Sequence, residues 1–260
     1  MTFPRPLLFA SLPVIQDPWF YAVAVPAVLV TGLAKSGFAS GFGALATPMM
    51  ALTVTVPQAA AVMLPLLLVM DATGLQQLWP ERNRALVRRL VPWALLGTVV
   101  GTLLFGVLSA KTVAGLVGGL TLAFLAQRLL FPPRPGAPPA AHWVGSVCAV
   151  TAGFTSFVAH AGGPPINAYT LPLRLPPREL AATMAVFFGA VNLSKIAPYA
   201  WLGLIDLRNM ATAMLLMPLA PLGVWAGVWL TRRVHAALFY KLAYAGMFCT
   251  GAKLLWDGLR

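Results

Sequence analysis

GFTSFVAHAGGPP, residues 153–165, is a run without charge that carries a glycine pair followed by two prolines. Glycine lets a chain turn sharply, and proline has no N–H to give and clashes with the preceding turn, so a helix reaching this stretch is interrupted. The chain around it is oily. Hydrophobic residues make up 59% of 260 and charged residues 9%, with a mean hydropathy of +0.81, which leaves too little polar surface to cover a soluble globule. Apolar stretches at 19–34, 58–79, 90–108, 113–131, 180–202, 210–231 and 242–256 are mostly near the length that carries a helix across about 30 Å of hydrocarbon. The composition therefore predicts an all-α polytopic membrane protein with the lipid bilayer as its main partner.

The interruption is duplicated. Slid by 116 residues, GFASGFGALATP (37–48) lies over GFTSFVAHAGGP (153–164), and Gly37, Phe38, Ser40 and Pro48 meet Gly153, Phe154, Ser156 and Pro164. With small insertions Met63 falls on Met184 and Asp71 on Asn192, then Pro92, Gly97 and Gly101 on Pro218, Gly223 and Gly227. This divides the chain into an irregular lead-in (1–18), a first repeat (19–131), a Pro- and Gly-rich linker (132–142) and a second repeat (143–260).

Basic residues orient the repeats. If each half crosses five times, the 80–89, 132–142, 174–179 and 232–241 connections share one side and carry Arg82, Arg84, Arg88, Arg89, Arg134, Arg174, Arg178, Arg232, Arg233 and Lys241. The other side holds Arg5, Lys111, Arg208 and Arg260. That bias predicts two inverted repeats with the basic side cytoplasmic. The formal net charge of +12 is thus a topology signal, and with no basic stripe along one face it does not point to nucleic acid. Residues 19–54 must then cross twice with fewer than the roughly 40 residues that two full spans need. Each repeat is accordingly a broken-helix hairpin plus three transmembrane helices. Irregular backbone at membrane depth is tolerated only against protein or a watery cavity, and the N-termini of half-helices offer N–H groups and partial positive charge to an anion.

Among the 18 basic and 6 acidic residues, only Lys35, Asp71 and Lys195 fall well inside the expected spans, where charge is costly and functional by default. Asn192, Lys195 and Tyr199 share one helical face by their spacing. The expected substrate-binding set is Gly37, Ser40, Gly41, Gly43, Gly153, Ser156, His160, Gly162, Gly163, Asn192, Lys195 and Tyr199. Asp71 and Lys35 are expected in ion coupling or an ion pair, with Lys195 an alternative partner for Asp71. The glycine pairs 97/101 and 223/227 read as close helix packing. Cys148 and Cys249 read as free thiols, and with the scattered histidines they show no metal-ligand spacing, so no metal or cofactor is expected. Trp19, Trp79, Trp143, Trp201 and Trp256 near span ends fit interfacial belts.

The duplicated GF-x-S, the AGGPP that follows it and the two-fold repeat resemble the sulfite exporter TauE/SafE family, also called toluenesulfonate uptake permeases, over nearly the whole chain. The first half departs from the pattern, with LATP where many relatives carry a glycine-rich stretch. The resemblance implies a non-enzymatic, multi-pass carrier in the bacterial inner membrane for sulfite, an organosulfonate or a related small sulfur oxyanion, driven by an ion gradient, with a homodimer allowed. An anion channel of the same architecture and an integral-membrane enzyme using His160, Asp71 and Lys195 are the alternatives.

Overall fold

The computed structural model describes residues 13–36, 40–105, 107, 109–130 and 140–260, and Gly37 of the expected site lies outside them. No β-strand occurs among the described residues. The first half contains α1 (Pro18–Lys35), a 3₁₀ turn (Ser40–Leu45), α2 (Ala46–Met50), α3 (Val56–Leu78), α4 (Arg84–Leu103) and α5 (Ala110–Leu130). The second contains α6 (His142–Ala159), α7 (Gly163–Thr170), α8 (Pro177–Ser194), α9 (Ile196–Trp201), α10 (Leu207–Leu216), α11 (Leu219–Arg233) and α12 (Ala236–Leu259).

Local chemistry sets these boundaries. Asp17, Thr55, Asn83 and Asp206 each cap a helix by accepting a main-chain N–H, which satisfies a donor that the first turn leaves orphaned. Prolines make the breaks. Pro198 cannot donate to the Ser194 carbonyl one turn back, and α8 gives way to α9 at Lys195. Pro218 separates α10 from α11, which meet at a 43° bend. Among the described residues, five helical segments are long and apolar enough to cross a membrane, and the bent pair makes a sixth if it is one span.

Helices of one half pack on those of the other through small residues. On α4 and α6, a Cβ on Gly97 would stand 2.0 Å from the Val150 carbonyl oxygen, and one on Gly153 1.9 Å from that of Ala94. On α1 and α11, Gly32 and Gly223 face each other, with a Cβ on the first 2.8 Å from the second's Cα. The glycine pairs 97/101 and 223/227 are packing positions: Gly101 lies against Phe157 and Gly227 against Ser36. In a bilayer such close backbone approach replaces the hydrophobic drive that water would supply.

Contacts at the helix ends fix which ends meet. The end of α3 reaches the start of α8 through a Glu81–Arg178 ion pair of 2.5 Å and an Asn83 Nδ2 to Glu179 hydrogen bond of 2.8 Å. Its beginning shares a pocket with the end of α12, where Val56 and Arg260 line one wall. Trp19, Trp143 and Trp201 are exposed on the rim, as amphipathic rings at a membrane interface would be.

Candidate functional site

The interrupted hairpins meet between α3 and α8. In the second half α6 continues through GFTSF and ends only at Ala159, with His160 in the left-handed region at φ 52°. A non-glycine residue rarely adopts that conformation, and such positions concentrate at functional sites. Here it is held by the main chain: the Ser156 carbonyl accepts the His160 N–H at 3.1 Å, and the Thr155 carbonyl accepts the Ala161 N–H at 3.2 Å. The chain then restarts as α7 on Gly163, Pro164 and Pro165, with proline tolerated where a helix has N–H groups to spare. In the first half α1 stops before GFASG, and Ser40, Gly41 and Gly43 fall in the 3₁₀ turn.

One hydrogen-bonded chain crosses the centre. Lys35 Nζ lies 2.6 Å from Asp71 Oδ1, so the ion pair forms with Lys35 and not with Lys195. Asn192 Nδ2 donates to Asp71 Oδ2 at 2.6 Å, and its Oδ1 accepts from Lys195 Nζ at 2.9 Å. Lys195 also contacts Ser156 Oγ at 2.7 Å and His160 Nδ1 at 3.0 Å. His160 Nε2 faces the Ala60 carbonyl at 2.9 Å. A carbonyl can only accept, so Nε2 carries the hydrogen and Nδ1 accepts from the lysine. As an ammonium, Lys195 has three donors for its three acceptors, and the Ser156 hydroxyl keeps its own hydrogen to give.

Beside this chain is a cavity of about 60 Å³, into whose wall Lys35, Ser156, His160 and Asn192 project. That is several times the roughly 10–15 Å³ a cavity needs to hold one water. Gly43 and Gly163 line it from the two hairpins, and Leu67, Met184 and Phe188 supply apolar wall. Phe188 also faces the Lys35 ammonium, 4.8 Å from its ring centre.

Asn167 on α7 is a wall residue that the sequence reading did not single out. It is 2% exposed, and its Nδ2 has no hydrogen-bond partner among the described residues. A buried amide donor left unpaired costs about 1–3 kcal/mol, so this donor at a cavity wall asks for an acceptor inside. Its position two residues after the tandem prolines, in the first turns of the restarted helix, was the available signal.

Other expected residues stand elsewhere. Lys195 is 0% exposed and is one layer behind the wall, reaching it through Ser156, His160 and Asn192. Tyr199 spends its hydroxyl on the Phe157 carbonyl at 2.6 Å and packs edge-on against the Phe157 ring. Gly153 faces α4, and Gly162 is wedged between Ala152, Ser156 and Phe188.

Lys35 and Asp71 pair, and among the described residues Lys195 bonds only to the neutral groups of Ser156, His160 and Asn192. A charged lysine in a low-dielectric interior without a carboxylate partner is unfavourable, and a counter-ion beside it relieves the cost. The cavity wall thus carries hydroxyl, amide, imidazole and amine side chains among apolar ones.

The family model described as Sulfite exporter TauE/SafE matches residues 24–254, which takes in both hairpins and every residue of the central chain. No curated protein and no solved structure matches the sequence. The chain belongs to the sulfite exporter TauE/SafE family of multi-pass membrane transporters.

Proposed function

We propose that this protein is a secondary transporter that carries sulfite, or an organosulfonate or sulfur oxyanion of similar size, across the bacterial inner membrane by binding it in the cavity between the two hairpins. The observation that carries the reading is the Asn167 Nδ2, unpartnered among the described residues, facing a cavity whose polar lining includes Lys35, Ser156, His160 and Asn192, all four tied to the Lys35, Asp71 and Lys195 cluster. An oxyanion with oxygens in several directions matches donors that converge from α1, α6, α7 and α8. Lys195 acts as a positioning residue: it orients Ser156, His160 and Asn192 and supplies the charge.

The two halves act as inverted repeats about this point. Support comes from the opposed courses of α3 and α8, which meet end to start through Glu81 and Arg178, and from the bond between the repeat equivalents Asp71 and Asn192. Asp71 is the coupling residue. It is the carboxylate of the central chain, it neutralises Lys35, and a proton or cation delivered to it would free that lysine for substrate.

The test is counterflow in proteoliposomes with sulfite, sulfate, thiosulfate and small sulfonates offered in turn. Saturable counterflow of one of them identifies a carrier and its substrate. Flux that never saturates would replace the carrier with a channel of the same architecture.

A further inference from the structure

A second pocket lies on the far side of the hairpin tips, at the end of the molecule where α3 begins and α12 finishes. It holds about 300 Å³ on the measure that gives the central cavity about 60 Å³. Lys111, Lys253 and Arg260 bring three cationic side chains to it, and Asp257 brings one carboxylate. Lys253 is paired with Asp257, Lys111 reaches the main-chain oxygen of Arg260 at 3.0 Å, and the Arg260 guanidinium stacks on Trp256 at 3.9 Å. Thr47 on α2 lines the same pocket, 1% exposed, and its Oγ has no hydrogen-bond partner among the described residues. A buried hydroxyl without a partner beside clustered cations is the signature already met at Asn167: a polar group awaiting an acceptor.

The two spaces almost touch. Ala159 lines the pocket and His160 lines the central cavity, and consecutive Cα atoms are only about 3.8 Å apart. On the other hairpin Ala44 faces the central cavity and Thr47 the pocket. The septum between them is one buried cluster that includes Ala44, Ala114, Ala159, Ala161 and Leu254. Most of its side chains are single methyl groups, so small displacements of the hairpin tips would open it.

We propose that the pocket beneath Thr47 is a second small-anion station, in series with the central cavity and closed off from it by the Ala159 septum. This rests on the reading of the central cavity as an anion site. Lys111 and Arg260 draw the ion in, and the Thr47 hydroxyl holds it next to the wall.

Equilibrium dialysis of radiolabelled sulfite against the purified full chain in detergent tests the arrangement. The wild type should bind two ions per chain. Thr47→Val keeps the shape and removes the hydroxyl, and should weaken one site by about 10- to 100-fold, the worth of one hydrogen bond to a charged group. Lys111→Met, which removes one of the two cations that draw the ion in, should weaken the same site. Asn167→Leu should weaken the other. A single site lost in Asn167→Leu and untouched by Thr47→Val would overturn the second station and leave the proposed function standing. A single site lost in Thr47→Val and kept in Asn167→Leu would uphold the station and count against the central one. No sulfite bound by monodisperse wild type would overturn both.

Discussion

Asn192 donates its side-chain amide to the Asp71 carboxylate at 2.6 Å, joining two positions that correspond in the duplicated halves of the sequence. Its carbonyl oxygen is thereby turned to Lys195, so one amide links the neutralised Lys35 and Asp71 pair to the lysine that has no carboxylate. The link gives the two charged groups different roles and makes them separable by mutation.

Asp71→Asn removes the carboxylate and leaves Lys35 without its partner. The cluster becomes more positive, so substrate exchange should persist at or above the wild-type level. Accumulation driven by a pH gradient should disappear. Both are read from the same reconstituted sample, and wild-type pH-driven uptake in this variant would remove Asp71 from coupling.

Lys195→Met takes away the charge and strips Ser156, His160 and Asn192 of their common donor. Sulfite affinity should fall by at least 10- to 100-fold, since a hydrogen bond to a charged group is worth about 1.5–3 kcal/mol. Tyr199→Phe is the contrast. Its hydroxyl bonds only the Phe157 carbonyl among the contacts described, so stability should drop by about 1 kcal/mol while the KM for transport stays put. A KM that rose in Tyr199→Phe would bring the phenol into the binding site.

Some of this arrangement was readable from the residues and some was not. The helical class, the interrupted hairpins and the three central charges follow from composition and from the cost of charge in hydrocarbon, both local properties of the sequence. The pairing of Asp71 with Asn192 fits their matching places in the repeat. Asn167 was not readable in the same way, because its significance is the absence of a partner, which only tertiary placement decides. The repeat also hid a difference: α1 ends before GFASG, while α6 runs through GFTSF. GFTSF is therefore helix where the repeat led to the expectation of a break, and Gly153 is a packing glycine.

That difference can be tested with two alanines. At Gly153 a Cβ would lie 1.9 Å from the Ala94 carbonyl oxygen, and backbone must move to admit it. Gly153→Ala should lower thermal stability, with overpacking costs of about 1–3 kcal/mol. At Gly43 the nearest atom to a Cβ is the Ala34 Cβ at 3.1 Å, and both residues line the cavity. Gly43→Ala should fold normally and bind sulfite more weakly. A stable Gly153→Ala protein with impaired binding would return that glycine to the site.

Inverted repeats predict opposite exposure of loops that a parallel arrangement would put together. In a background lacking Cys148 and Cys249, single cysteines at Ala110 and Arg208 should react with an impermeant thiol reagent from the periplasmic side. One at Asn83 should react from the cytoplasmic side. Labelling of Asn83 and Arg208, which lie in corresponding loops of the two halves, from the same side would contradict the inverted arrangement.

The most direct measurement is the affinity of radiolabelled sulfite for the central cavity, taken by counterflow inhibition in proteoliposomes with wild type, Ser156→Ala and Asn167→Leu at equal folded protein. Both variants remove a donor from the wall without replacing a charged side chain, and Ser156→Ala also takes one acceptor from Lys195. Expected are saturable counterflow in the wild type, apparent affinity lower by about 10- to 100-fold in each variant, and unchanged thermal stability in Asn167→Leu, whose Nδ2 makes no hydrogen bond among the described residues. Wild-type affinity in Asn167→Leu and Ser156→Ala together would contradict the proposed site, because the anion would then be bound somewhere other than between the hairpins.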